Sequence, residues 1–386
     1  MKRVFLALDS AMPKDQTGLL ADAGSLLQEI PLVDGHNDLP YLIRRDAEGD
    51  PQAYDLEGQR DGRDTDIPRL RAGCVSAQFW AAFVPPREAQ PTSFALQQIA
   101  LIRRLSMLYP DVFLDAAHSS HIAQARQQGR IASFIAIENG AAVPDNRLDC
   151  VDAFYALGVR LMTLCHNLTT DWCDSATDAS RHDGLSPFGK RVVTRMNRLG
   201  MLVDLSHVSD RVMHQALDQA EAPLVWSHSN ARRLCDHRRN VPDDVLARVP
   251  ANGGLVMATF VPDFLSQRSR DWIRPLQDEH SKDPAQVDMD AAVAAHEKQS
   301  GPRPRGGLAE LCDHLDYLAA TVGNDHVGLG SDFFGGPQGE GLKDASCYPG
   351  IFAELMRRGW SRENLVKLAS ENVTRVMQAV EAASEP

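Results

Sequence analysis

Short apolar runs alternate with helical patterns along most of this chain. The run Ile30-Pro31-Leu32-Val33 is followed at once by Asp34, Gly35, His36, Asn37 and Asp38. Its length suits a buried strand, and Gly35 predicts a sharp exit from it. Further strand-type runs cover residues 74–83, 131–137, 159–165, 201–205, 223–226, 254–260 and 326–329. Apolar residues at three- and four-residue spacing predict helices over 17–28, 94–109, 190–199 and 212–220. Residues 46–65 are polar, rich in Asp, Gly and Arg, and read as a long loop. Eight buried-type strands, mostly separated by helical patterns, predict an α/β fold: a (β/α)8 TIM-like barrel. Residues 1–386 then form one domain. Residues 261–307 are too many for a simple connection between strands seven and eight. They predict an insertion, with a helix over 289–297, that covers the barrel mouth.

Composition narrows the class. A hydrophobic content of 43% suffices for a sizeable core. The net charge of -12, with no basic run interleaved with aromatics, argues against a nucleic-acid surface. No stretch approaches ~18 uninterrupted apolar residues, so no membrane span is expected. Asp9 stops the N-terminal apolar run too early for a signal peptide, and the C-terminus lacks the hydrophobic tail of a lipid-anchor signal. Seven scattered Cys without a C-x-x-C pair fit reduced thiols. The expected localisation is cytoplasmic.

The chemistry lies in where the polar residues fall. Six of the eight predicted strands end in His, Asp or Glu: His36 with Asp38, then Glu138, His166, His207, His228 and Asp332. Barrel active sites lie at the C-terminal ends of strands, so these residues should converge on one face. His36 and Asp38 are two apart, which in extended backbone points both to one side. Imidazole nitrogen plus carboxylate oxygen suits a zinc-like cation. Four His and three carboxylates are enough for two metals with a shared bridge, leaving one His and one carboxylate uncoordinated. Barrel hydrolases use that inventory to acidify a bridging hydroxide beside a base. No Lys ends a strand, so Glu138 is the better bridge candidate than a modified lysine. His118, His121, His182, His214, His237, His280, His296 and His314 fall in helical or loop patterns and read as surface residues. His326 opens strand eight and reads as structural.

Seven stretches carry a resemblance. They are DGHND (34–38), AQFW (77–80), GVRLMTLCHN (158–167), LVDLSH (202–207), WSHSNAR (226–232), RRNVPDD (238–244) and GLGSDF (328–333). Together they resemble the membrane (renal) dipeptidases, the M19 peptidases among the amidohydrolase-like barrels. The resemblance implies a dipeptidase with two zinc ions, other divalent ions being able to occupy the same ligands. His36, Asp38 and Glu138 would hold one ion, and Glu138, His207 and His228 the other. His166 would polarise the scissile carbonyl, Arg239 would pair with the C-terminal carboxylate of a dipeptide, and Asp332 would be the general base. A homodimer is also implied. The chain departs from the family pattern at Asn139, where Gly is usual, and at Phe333-Phe334-Gly335, where an acidic residue is common.

Two other readings stay open. One is a binuclear amidohydrolase acting on a cyclic amide, lactone or modified amino acid. The other is a metal-binding barrel without catalysis. Arg239 separates the first from a dipeptidase, because a free α-carboxylate needs a fixed guanidinium and a lactone does not. Asp332 speaks against the second, because coordination does not require it.

Overall fold

The computed structural model describes residues 16–282 and 289–385. The N-terminal apolar run that ends at Asp9 lies outside them. Among the described residues nine strands form one parallel sheet: β1 (Val33–Asn37), β2 (Ala77–Phe83), β3 (Phe113–Asp115), β4 (Ile131–Glu138), β5 (Val159–Thr163), β6 (Leu202–Asp204), β7 (Val225–Trp226), β8 (Leu255–Ala258) and β9 (Val327–Leu329). Eight of them run in the order β1-β2-β4-β5-β6-β7-β8-β9. The β9–β1 seam closes through a parallel bridge between Asn37 and Phe333. Asp332 N donates to His36 O at 3.2 Å, and Asp38 N to Phe333 O at 3.1 Å, across the same seam. The architecture is the (β/α)8 barrel that the strand pattern predicts. β3 is outside the wall: it pairs with residues 131–133 of β4, on the edge that β5 occupies from Ile135 onward. Three residues are too few to show a period, which is why the sequence pattern passes over it.

β4 shows how alternation aims the chain. Ile131, Ile135 and Ile137 join the core between strands and helices, whereas Ala132, Phe134 and Ala136 fill the barrel interior. Phe134 stacks on Phe79 of β2 there, with ring centroids 4.8 Å apart. Burying such a ring contributes roughly 1.5–3 kcal/mol. Period two then sends Glu138, the last residue of the strand, to the inward side.

β1 differs from the expectation. The strand does not turn at Gly35 but runs through it to Asn37. A Cβ at Gly35 would lie 2.2 Å from Met257 Sδ and 2.9 Å from Ser227 O. Glycine is needed here for close packing inside the barrel, not for a bend.

The helix after the His166 loop, Pro187–Leu199, has all the local signals. Ser186 caps it by accepting from Gly189 N, Pro187 opens it, and Gly200 ends it in left-handed backbone at φ 81°. Between β8 and β9 lie the helices Pro262–Leu265, Gln267–Lys282 and Met289–Ser300. Arg303 binds both oxygens of the buried Asp263 at 2.6 Å, tying the end of this segment to its start. The predicted loop 46–65 contains one short helix, Pro51–Tyr54.

Candidate active site

Every predicted site residue reaches the C-terminal end of the barrel. Glu138 ends β4 and His36 lies within β1, while Asp38 sits just beyond β1 at the start of the helix Leu39–Asp46. His228 follows β7 by two residues; His166, His207 and Asp332 follow β5, β6 and β9 by three. His207 and Asp332 have φ of 72° and 62°, the left-handed region that a side chain disfavours. Such strain costs of order 1–3 kcal/mol and persists only where surrounding structure enforces it.

Glu138 stands at the centre of the cluster. Its Oε1 lies 3.0 Å from His207 Nε2, 3.6 Å from His228 Nε2 and 3.7 Å from His166 Nε2. Its Oε2 lies 3.5 Å from His36 Nε2. His36 Nε2 is in turn 3.5 Å from Asp38 Oδ2 and 3.9 Å from Asp332 Oδ1. Three overlapping groups result, each with its candidate ligand atoms within 4.8 Å of one another: His36/Glu138/His228, Glu138/His166/His207 and His36/Asp38/Asp332. His166 and Asp332 thus lie as near the others as the five residues expected to be ligands.

The donor set fits metal. Both ring nitrogens of His36 and Asp38 Oδ1 are buried with no hydrogen-bond partner among the described residues, a costly arrangement that a cation relieves. His207 Nδ1 faces Asn167 Oδ1 at 3.2 Å, and His228 Nδ1 faces Ser227 Oγ at 2.7 Å. With those nitrogens donating, two lone pairs meet where the Nε2 atoms of His207 and His228 stand 2.9 Å apart. Burial, helped by the charge of Arg239, holds the His207 pKa well below the usual imidazole range. Burial and the His36 charge do the same for His228. Burial also draws His36 down, but the Glu138 and Asp38 carboxylates outweigh it and hold its pKa well above 6.5. Burial pushes Asp332 up to about 7 against the pull of His36, and lowers His166 to about 3.

Arg239 is 2% exposed. Among the described residues its Nε has no partner, and its Nη atoms reach only Ser229 Oγ and His228 O, each at 3.4 Å. No carboxylate pairs with it among the described residues. A buried guanidinium in this state is a receptor for an anion. It lines a cavity of about 1080 Å³ with Asn167, Leu168, His237, Phe264 and Gln277.

Two of the histidines read as surface residues are not. His237 is 7% exposed and His314 is 1% exposed. His237 Nδ1 accepts from Arg239 N at 3.0 Å, and its ring lies 4.5 Å from that of Phe264. Burial lowers its pKa to about 2. His314 accepts from Ala231 N at 3.2 Å and faces Leu265 O at 3.0 Å. It braces the loop that carries Arg239. The proximity of His237 to Arg239 in sequence is the signal that points to its burial. The side chain of His280 lies outside what is described. Asn139 has φ of 98°, which accounts for the glycine expected there. Its side chain compensates by donating to Val84 O at 2.9 Å and accepting from Ala141 N at 3.1 Å. Phe333 is buried against Phe260 and Tyr348, where an acidic side chain would have no solvent.

A parallel barrel with imidazoles and carboxylates gathered at its strand ends defines a metal-dependent barrel hydrolase. The chain belongs to the membrane dipeptidase family, peptidase family M19, whose model matches residues 20–386. It is 36% identical over 375 residues to Dipeptidase 3 of Rattus norvegicus, a match that covers 95% of this chain and 68% of that protein. The probable dipeptidase PvdM from Pseudomonas aeruginosa has the same fold, with a TM-score of 0.83 at 25% identity, over 95% of this chain and 100% of that one. The dipeptidase AC, a metallo peptidase, matches with a TM-score of 0.75 at 25% identity, over 91% of this chain and 98% of that one. The chain is a metallo-dipeptidase with a metal cofactor and small peptide substrates.

The family corrects one expectation. Its description as membrane dipeptidases, together with the match to Dipeptidase 3, overturns the cytoplasmic assignment. That assignment rested on missing signals, and a missing signal carries no information about what a chain associates with. No helix among the described residues is long and apolar enough to cross a membrane.

Proposed function

We propose that the chain hydrolyses dipeptides at a pair of zinc ions. His36, Asp38 and Glu138 would hold one ion, and Glu138, His207 and His228 would hold the other. The observation that carries this reading is that Glu138 turns one oxygen to His36 and the other to His207 and His228. Imidazole nitrogens with carboxylate oxygens favour zinc over harder cations. Once bound, the ions would supply Lewis-acid polarisation of the scissile carbonyl and would lower the pKa of the attacking water.

The chain's own residues do the rest. Asp332, 3.9 Å from His36, takes the proton of the attacking water and returns it to the leaving amine. His166, partly exposed at the edge of the cluster, steadies the carbonyl oxygen as negative charge develops. Arg239 pairs with the C-terminal carboxylate, which its unpaired guanidinium favours over a lactone or cyclic amide. Residues 261–307 act as a cover within a single domain, with Phe264 on the cavity wall. The homodimer implied by the family completes the proposal.

Elemental analysis combined with turnover of a dipeptide panel tests it. About two zinc equivalents per chain are expected, with activity lost on chelation and regained on adding zinc back. One equivalent in fully active protein would refute the paired site.

A further inference from the structure

Beyond the ligands lies a buried device that the same geometry builds twice. Asp204 ends β6, Ser227 follows β7, and both are fully buried. Ser227 N donates to Asp204 Oδ1 at 2.8 Å, and Ser227 Oγ donates to Asp204 Oδ2 at 2.6 Å. Ser206 N and Thr163 Oγ1 also donate to Asp204, at 3.0 and 2.6 Å. At the β9–β1 seam Ser331 N and Oγ donate to Asp34 Oδ1 and Oδ2, at the same 2.8 and 2.6 Å. Each serine immediately precedes a site residue: Ser227 precedes His228, and Ser331 precedes Asp332.

The two clamps differ at the serine hydroxyl. Ser227 Oγ also lies 2.7 Å from His228 Nδ1, whereas Ser331 Oγ lies near no imidazole and 3.0 Å from a backbone carbonyl, His36 O, among the described residues. A hydroxyl has one proton. Ser227 gives its proton to Asp204, so toward His228 it has only lone pairs to offer. His228 Nδ1 must therefore carry hydrogen, and in the neutral ring Nε2 is left bare, facing Glu138 and His207.

We propose that Asp204 and Ser227 are positioning residues that lock the tautomer of His228 and turn its Nε2 toward the metal. The proposal rests on His228 being a ligand. Partners of this kind raise ligand basicity and fix ring orientation, and losing one weakens metal binding by roughly 10–100-fold. Asp34 and Ser331 form the same clamp without a ring, so they supply a control within the molecule.

The test is zinc competition with a chromophoric chelator, using the full chain and its variants. Ser227→Ala should weaken one of the two ions by about 10-fold or more, while Ser227→Thr, which keeps the hydroxyl, should restore it. Asp204→Asn offers a second route if the alanine variant does not fold. The Asn amide can donate to Ser227 Oγ, turning the hydroxyl proton toward His228 Nδ1 and forcing hydrogen onto Nε2. It should weaken the same ion at unchanged volume. Ser331→Ala should leave both zinc affinities as in the wild type. Wild-type affinity in both Ser227→Ala and Asp204→Asn would overturn the proposal, and so would an equal loss in Ser331→Ala, which would point to packing alone. A wild-type chain that binds no zinc would overturn the ligand assignment itself, a result separable from any variant's behaviour.

Discussion

Asp64 accepts the backbone N–H of Phe334 at 2.9 Å, joining two segments 270 positions apart. Phe334 has φ of 72°, a conformation that a bulky residue holds only under constraint. The bond sits in the turn that presents Asp332, closed by Gly335 N donating to Asp332 O at 3.0 Å. A Cβ at Gly335 would lie 2.0 Å from Asp332 Oδ1, so a side chain there would displace the Asp332 carboxylate. Asp64 also accepts from Gln338 Nε2 at 3.2 Å, and its carbonyl from Ala345 N at 2.8 Å. A segment that reads as a polar loop therefore holds the backbone on which Asp332 depends.

Asp64 should make stability pH-dependent. Burial pushes its pKa from 3.8 to about 6. The folded state thus holds this proton more tightly than the unfolded chain. The contribution is fully present below pH 3.8 and is lost as pH rises through about 6. Asp64→Asn keeps an acceptor for Phe334 N and removes the titration. Its stability relative to wild type should be about 1 kcal/mol greater at pH 8 than at pH 5. Urea unfolding of both proteins at the two pH values measures this; a constant difference would show that Asp64 does not titrate in the window.

Gly35→Ala should destabilise the barrel. The added methyl meets Met257 Sδ, which can move, and Ser227 O, which is backbone and cannot move freely. A loss of about 1–3 kcal/mol is expected, the usual range for overpacking. Thermal unfolding gives the size, and wild-type stability would mean that the interior yields at this point.

Arg239→Ala should lower kcat/KM for free dipeptides by roughly 2–4 kcal/mol, the scale of a lost buried charge pair. Amidated dipeptides should already be poor substrates of the wild type, because they offer the guanidinium no charge. Equal turnover of free and amidated dipeptides would instead make Arg239 a brace for its own loop.

Asp332→Asn separates the roles that the cluster leaves open. Asparagine keeps the shape and one acceptor oxygen but cannot hold a transferred proton. If Asp332 is the base, the variant should keep the wild-type metal content while kcat falls by ~10² or more. Zinc content and kcat measured on one preparation decide the matter, since loss of metal would make Asp332 a ligand.

The strand pattern and the polar residues at the strand ends were legible because both are local. Alternation along β4 needs only neighbouring residues, and it aims Glu138 inward whatever the rest of the chain does. The chain order of His36, Glu138, His166, His207, His228 and Asp332 also follows the barrel wall, because each parallel strand brings its end to the same rim. The sequence by itself therefore determined the barrel and the residue types gathered at its mouth.

Tertiary structure decided what depends on distant partners. Gly35 is a packing glycine only because Met257 and Ser227 crowd it from other strands. His314 looks like any helical histidine until Ala231 N, 83 positions away, donates to it. The proton on Ser227 is committed only because Asp204 lies across the β6–β7 boundary. Burial and hydrogen bonding are set by whatever surrounds a side chain in space. Sequence spacing specifies those surroundings within a strand or a helix, but across the barrel it does not, and there the fold assigns the partner.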